Sequence, residues 1–203
     1  MERDTWIPWG TEGEDMKIFH VADLHFGKVV YGRSMIDDQK YWVDRFVEDC
    51  ASGKPKAVLF AGDIYDRAAP NEEAVKLLDD MITRIADLGI QIFMIAGNHD
   101  SGQRLSFGST ILQKQGVHIS GIVKKELDHF DLTDDDGTVV TFWLLPYADP
   151  EDITSALKEE GLNSYEKAIQ RLLEVQTVDP AHCNVILSHQ NVTQDGVEAE
   201  RGG

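Results

Sequence analysis

Four short clusters in this sequence carry side chains that bind metal ions: Asp23 with His25, Asp63 with Asp66, the run Asn98-His99-Asp100, and His189. A mixture of carboxylate, imidazole and amide oxygen suits Mn, Fe or Zn better than Ca, and the lack of thiolate argues against a structural zinc. Each cluster alone has a bland explanation. Asp-x-His after a strand is commonly a turn, Gly62-Asp63 reads equally as a Gly-Asp turn, and a lone His189 would ordinarily be a satisfied buried histidine. Gly97-Asn98-His99-Asp100 is more specific, because turns seldom need His beside Asn and Asp. The ordered set points to a metal site, since all four clusters close apolar runs, and open α/β sheets bind ligands beyond the carboxyl ends of their strands. One carboxylate can bridge two ions about 3.5–4 Å apart, the spacing of two-metal phosphoryl chemistry, and Asp63 is the candidate bridge. Such a pair lowers the pKa of a bound water, orients a phosphate and neutralises charge on a leaving oxygen.

The elements that must position these residues are legible as alternating periodicities. An apolar run through Ile18, Phe19 and Val21 precedes Asp23, and Ala57–Ala61 precedes Gly62-Asp63. Ile90 to Ala96 precedes the third cluster, and Val185-Ile186-Leu187 precedes Ser188-His189. Between the first three lie two helical stretches. One runs from Asp37 to Ala51, with Trp42, Val43, Phe46 and Val47 at helix-face spacing. The other is signalled by Pro70-Asn71-Glu72-Glu73 and carries a stripe of Ala74, Leu77, Leu78, Met81, Ile82 and Ile85 that ends at Gly89. Strand–helix–strand–helix–strand implies parallel βαβ crossovers with both faces of the sheet covered. Further on, Asp128 to Leu132 and Val139 to Leu145 flank an Asp-Gly turn, which predicts an antiparallel hairpin, and a helix is expected around Ser164 to Val175. The expected fold class is a layered α/β domain mixing parallel and antiparallel strands. Residues 1–15 show no periodicity and are expected to form a flexible leader, the domain proper starting at Met16.

Composition narrows the class. With 203 residues, 42% hydrophobic and 27% charged, the chain suits one well-packed soluble domain. No apolar run approaches the roughly 20 residues of a membrane span, and the polar start Met1-Glu2-Arg3-Asp4 lacks a secretory signal. Cys50 and Cys183 are far apart, so zinc-finger and redox-motif readings fall away and a reduced, cytoplasmic protein is expected. A net charge of −17 predicts repulsion from a polyanion. Much of the acid falls in stretches that read as solvent faces or turns, such as Asp79-Asp80, Asp134-Asp135-Asp136 and Glu159-Glu160. Lys28, Arg33, Arg67 and Arg104 lie just downstream of the metal motifs. They read equally as ordinary surface charges or as a local positive rim.

The order Asp23-x-His25, Gly62-Asp63-x-x-Asp66, Gly97-Asn98-His99-Asp100 and His189 resembles the calcineurin-like metallophosphoesterase superfamily. The fuller strings HVADLHFGK, AGDIYDRAAPN, AGNHDSGQRLSFGS, LPYADP and LSHQNV are similar to those of bacterial SbcD-type nuclease subunits within it. The resemblance runs from Met16 to Gly203 and implies a metallophosphoesterase-like sandwich of mixed β-sheets flanked by helices. It implies that Asp23, His25 and Asp63 hold one metal, and that Asp63, Asn98 and His189 hold the second. It further implies that His99 contacts the scissile phosphate and assists the leaving group, with Asp66 orienting it. Two divalent ions, most naturally Mn, DNA as substrate, an SbcC-like coiled-coil ATPase partner and a homodimer of nuclease subunits follow from the same likeness, with Arg67 and Arg104 as candidate substrate contacts.

One departure stands out. The family pattern adds a later Gly-His-x-His that gives each metal a further histidine, and nothing after His189 supplies it. The domain spanning 16–203 is therefore expected to be incomplete at its C-terminus. Three functions remain open: a metal-dependent DNA nuclease of an end-processing and repair complex, a phosphatase or cyclic-nucleotide phosphodiesterase with the same metals, and a non-catalytic scaffold.

Overall fold

The computed structural model describes residues 16–191. The leader expected over residues 1–15 and the end of the expected domain, residues 192–203, lie outside the described residues. In chain order the elements are β1 (Ile18–Val21), a short hairpin of β2 (Val29–Val30) and β3 (Arg33–Ser34), α1 (Ile36–Gly53), β4 (Ala57–Ala61), α2 (Glu72–Asp87) and β5 (Gln91–Ile95). Two four-residue helical turns follow, α3 (Gly102–Leu105) and α4 (Ser109–Leu112), and then β6 (Val117–Ser120), β7 (Asp128–Thr133), β8 (Val139–Leu145), α5 (Pro150–Leu157), α6 (Tyr165–Glu174) and β9 (Cys183–Ser188).

The parallel sheet has the order β1-β4-β5-β6 and the second sheet the order β7-β8-β9. In the latter, β8 pairs antiparallel with β7 and parallel with β9, so β9 delivers its C-terminal end beside that of β8. Side-chain alternation builds three apolar layers. Val58 and Phe60 of β4, with Ile92 and Met94 of β5, face Val43, Val47 and Cys50 of α1 and Leu78, Met81 and Ile85 of α2. The opposite faces of those strands, Leu59, Phe93 and Ile95, meet Val140, Phe142 and Leu144 of β8 and Leu187 of β9. Trp143 and Leu145, alternating outward on β8, cover Ile153, Leu157, Ala168 and Leu172 of α5 and α6. The result is a helix–sheet–sheet–helix sandwich, the mixed α/β architecture expected from the sequence. Each fully buried Phe of these layers contributes about 1.5–3 kcal/mol, which fixes strand register and hence where each strand ends.

Several elements were not anticipated, among them the β2–β3 hairpin and the short helices α3 and α4. β6 adds a fourth strand beside β5, and α5 follows the Leu145-Pro146-Tyr147 turn. Helix α5 has a complete start: Asp149 accepts from the backbone N–H groups of Glu151 and Asp152, Pro150 occupies the first turn, and Asp152 returns the capping contact. On α1 the inward residues are Ile36, Val43, Val47 and Cys50. Trp42, expected on that face, instead stacks on Phe46 at 4.9 Å and remains 37% exposed.

Candidate metal centre

All four clusters stand just beyond the carboxyl ends of their strands: Asp23 and His25 after β1, Asp63 and Asp66 after β4, Asn98 to Asp100 after β5, and His189 after β9. The backbone there is forced out of the strand conformation abruptly. Asp23, His25 and Asp63 have φ of 57°, 46° and 50°, the left-handed region that non-glycine residues seldom enter. Each such residue costs about 1–3 kcal/mol and persists only where its surroundings hold it. Backbone bonds do so. Asp23 N–H donates to Gly62 O, His25 N–H to Asp63 O and Phe26 N–H to Ile64 O, joining the first two loops side by side. The Asp100 carboxylate ties the third loop to the second, accepting from the backbone N–H of Ile64, Tyr65 and Gly97. Burial pushes its pKa above the ordinary carboxylate value, against the pull of those three donors. Glycine is needed at two points. A Cβ on Gly97 would strike the Asp63 side chain, and one on Gly62 would lie 2.6 Å from the His189 ring.

Asp63 lies at the middle, its side chain 5% exposed. Its Oδ2 stands 3.7 Å from His25 Nε2 and 4.0 Å from His99 Nε2, and its Oδ1 stands 3.6 Å from His189 Nε2. Asp23 Oδ1 is 3.9 Å from His25 Nε2, and Asn98 Oδ1 is 3.2 Å from His189 Nε2. Most of these separations are too long for hydrogen bonds. They are the separations of atoms sharing a cation, since two ligands each about 2.0–2.2 Å from one ion stand about 3–4 Å apart.

The imidazole tautomers sharpen this. His189 Nδ1 lies 2.6 Å from Ala61 O and His99 Nδ1 lies 3.0 Å from Asp66 O. A carbonyl can only accept, so Nδ1 carries the proton in both rings and each Nε2 offers a lone pair toward Asp63. With the ring neutral, His189 Nε2, Asp63 Oδ1 and Asn98 Oδ1 are three converging acceptors, which a cation would satisfy. His25 Nδ1 is buried without a hydrogen-bond partner, 3.5 Å from Asp66 Oδ1, while its Nε2 faces Asp23 and Asp63. That is the disposition of a ligating histidine with a carboxylate behind it. Two donor sets, His25-Asp63-His99 and Asp23-Asp63-His189, have ligand atoms within 4.8 Å of one another and share Asp63. The residues present fit two divalent cations bridged by one carboxylate.

The structure therefore gathers Asp23, His25, Asp63, Asn98, His99 and His189 at one place. It alters the part expected of Asp66. The Asp66 carbonyl, not its carboxylate, takes the His99 Nδ1 proton, and the carboxylate faces His25. The cause is local pairing: Asp66 N–H donates to Phe26 O beside a Phe26–Tyr65 bridge, which aims the side chain toward the first loop. The same carboxylate lies 4.0 Å from Lys28 Nζ and 3.8 Å from Arg67 Nε. Lys28 and Arg67 thus border the centre, while Arg104 lies on α3, just after the third cluster, with no ion pair among the described residues. Geometry also groups His99 with a metal set, although its side chain is 45% exposed and open to a substrate. One supporting residue escaped the sequence reading, and another was read without its role. Asp100 was visible in its motif without its bracing part. Gln39, which donates to Leu24 O and His25 O and accepts from Gly27 N–H, reaches in from α1 and carries no local signal.

Residues 16–202 match the family model described as calcineurin-like phosphoesterase. The SbcD subunit of nuclease SbcCD from Staphylococcus saprophyticus is 31% identical over 192 residues, covering 91% of this chain and 48% of that protein. Its counterpart from Staphylococcus epidermidis is 31% identical over 180 residues, covering 87% of this chain and 47% of that protein. The chain spans about half the length of the curated relatives it matches. A solved dimetal phosphatase from Danio rerio overlaps with a TM-score of 0.41 at 17% identity, covering 76% of this chain and 49% of that one. A likeness that loose bears on neither fold nor function.

Proposed function

The chain belongs to the calcineurin-like phosphoesterase family, and from that premise we propose that it hydrolyses phosphodiester bonds in DNA as the nuclease component of a DNA end-processing and repair complex. The observation that carries the chemistry is Asp63, shared by two donor sets. In this reading Asp23, His25 and Asp63 hold one divalent ion and Asp63, Asn98 and His189 the other, with Mn the best match to mixed O and N ligands. Ions so held supply activation of water and neutralisation of phosphate charge. His99, its ring fixed through Nδ1, presents Nε2 to the scissile phosphate; Nε2 first takes up a proton from solvent and then passes it to the departing sugar oxygen, returning to the neutral ring. Asp66 holds the His99 ring through its carbonyl and backs His25 through its carboxylate. Lys28 and Arg67 attract the backbone phosphates, and Arg104 is a further candidate contact.

The names of the two relatives, each the SbcD member of SbcCD, support a partner: an SbcC-like coiled-coil ATPase. Exposed Phe107 and Ile111, at 88% and 72%, support self-association into a homodimer. The domain is taken as 16–203 and its place as the cytoplasm; no helix among the described residues is long and apolar enough to cross a membrane. The test is cleavage of linear duplex and hairpin DNA with Mn. His99→Ala should lower kcat at least 100-fold, as expected for loss of a general acid, and equal cutting by the variant sinks that role. A phosphatase reading is favoured by the net charge of −17, which repels a long polyanion. Preference for p-nitrophenyl phosphate over bis-p-nitrophenyl phosphate would establish it in place of the nuclease.

A further inference from the structure

The hairpin of β2 and β3 projects from the loop that carries His25. Lys28 N–H donates to His25 O, Met35 N–H closes the hairpin base on Lys28 O, and Gln39 clamps Leu24, His25 and Gly27 from below. The pairing is Val29 with Ser34 and Val30 with Arg33, leaving Tyr31 and Gly32 as a two-residue turn. Both turn residues have positive φ, 49° and 79°, as the turn that matches strand twist requires. Asparagine followed by glycine fills such a turn without strain, yet here the first position holds tyrosine. Its ring is 104% exposed, so nothing in this chain's packing accounts for it, and the flanking Val29 and Val30 are 48% and 39% exposed. From Phe26 to Ile36 the only charges are Lys28 and Arg33, both positive, in a chain of net charge −17. The root of the hairpin is at the metal centre, because Lys28 Nζ lies 4.0 Å from the Asp66 carboxylate that backs His25. Three residues of extended chain place Tyr31 within about 10 Å of Lys28.

We propose that this hairpin is a stacking finger for nucleic acid: Tyr31 stacks on an unpaired base next to the phosphate held at the metal centre, and Lys28 and Arg33 grip the phosphates on either side. The inference rests on the nuclease reading and refines it, since it calls for DNA whose terminal bases are opened or frayed. A flat aromatic ring between two cations is the arrangement that binds single-stranded nucleic acid with little sequence preference. An acidic protein partner would be repelled by neither the ring nor the valines, but a hairpin rooted at a phosphate-binding centre places the ring within reach of a bound strand.

Tyr31→Asn tests this, because asparagine suits the left-handed turn position better than tyrosine and removes the ring without loosening the hairpin. The probe is a phosphorothioate-protected duplex with a frayed end bearing 2-aminopurine, followed by anisotropy and by fluorescence of the base. The parent should bind and change the 2-aminopurine signal. Tyr31→Phe and Tyr31→Trp should keep both, whereas Tyr31→Asn should bind about 5- to 100-fold more weakly and lose the signal, the range one stacked base supplies. The Tyr31→Asn melting temperature and hydrolysis of bis-p-nitrophenyl phosphate should be no lower than those of the parent. Unchanged DNA binding by Tyr31→Asn overturns the finger and leaves the nuclease reading intact. Loss of self-association in that variant with DNA binding retained overturns it too, assigning the ring to a protein contact. A parent that hydrolyses the small diester but binds no DNA overturns the nuclease reading and the finger together.

Discussion

Asp63 is held in a conformation unfavourable for aspartate, accepts the backbone N–H of His99 on Oδ1, and faces three imidazoles. Such convergence of like-charged and lone-pair-bearing groups is poor for stability and useful only when a cation is present. Asp63→Asn keeps the amide oxygen for His99 and removes the bridging charge, so the metal-free variant should melt no lower than the metal-free parent. Saturating Mn should raise the parent's melting temperature by about 5–10 °C, as expected for ligand near 100 times its Kd, and leave Asp63→Asn nearly unmoved. An equal Mn shift in both proteins removes Asp63 from the bridging position. Gly97→Ala tests the space around that carboxylate from the other side. Its added Cβ collides with the Asp63 side chain, and overpacking of this kind costs about 1–3 kcal/mol. Thermal melting should show that loss, and calorimetric Mn titration should show weaker binding. Residue identity at this scale was legible from motif spacing, but orientation was not. Nothing in Asp-x-x-Asp says that Asp66 turns its carboxylate to His25 and its carbonyl to His99, because a bridge between Phe26 and Tyr65 decides it.

Elements were legible in proportion to the strength of their period and their end signals. Helix α2 combined a six-residue apolar stripe with an N-cap at Asn71, whose side chain accepts from Ala74 N–H. Asn71→Ala should therefore cost about 1 kcal/mol, measurable as a lower midpoint in urea. Strand β6 was missed because four residues, Val-His-Ile-Ser, are too short to show a period, and its identity as a strand comes from β5 beside it. Helix α5 had a readable start in Asp149-Pro150, obscured by the apolar run before it. The parallel placement of β9 on β8 is a tertiary fact with no local trace, yet it is what brings His189 to Asp63. Within β6, His118 stacks on Phe93 and lies tilted against Phe130, and burial lowers its pKa. The folded protein then keeps the ring neutral to a lower pH than the unfolded chain does. Its contribution is present above the unfolded value, about 6.5, and is lost as pH falls toward the folded value. His118→Phe should keep the stack and lose less stability between pH 7 and 5.5 than the parent, read from urea midpoints at the two pH values. A parallel loss in both proteins would place the acid sensitivity elsewhere.

At the scale of the whole molecule the acidic balance and the DNA reading pull in opposite directions, and the structure shows where they meet. Some carboxylates elsewhere are engaged with neighbouring cations, Asp134 and Asp135 with Lys56, Asp44 and Asp80 with Arg84, and Glu159 with Arg171, while the net charge of −17 leaves the body acidic. Lys28 and Arg67 sit at the metal centre, Arg33 is on the hairpin that Lys28 opens, and Arg104 is on α3. In the nuclease reading, DNA met through these four cations displaces few counterions. With a slope of about −0.9 per neutralised phosphate, the log–log dependence of affinity on salt should be no steeper than about −4. Fluorescence anisotropy between 50 and 200 mM NaCl, on duplexes long enough to exceed the site, measures it directly. A slope near −8 would require a basic surface that these residues do not form and would make an ATPase partner unnecessary for DNA capture. A shallow slope that steepens when the partner is added would assign most of the phosphate contacts to the partner, leaving this chain to recognise the end of the strand and cut it.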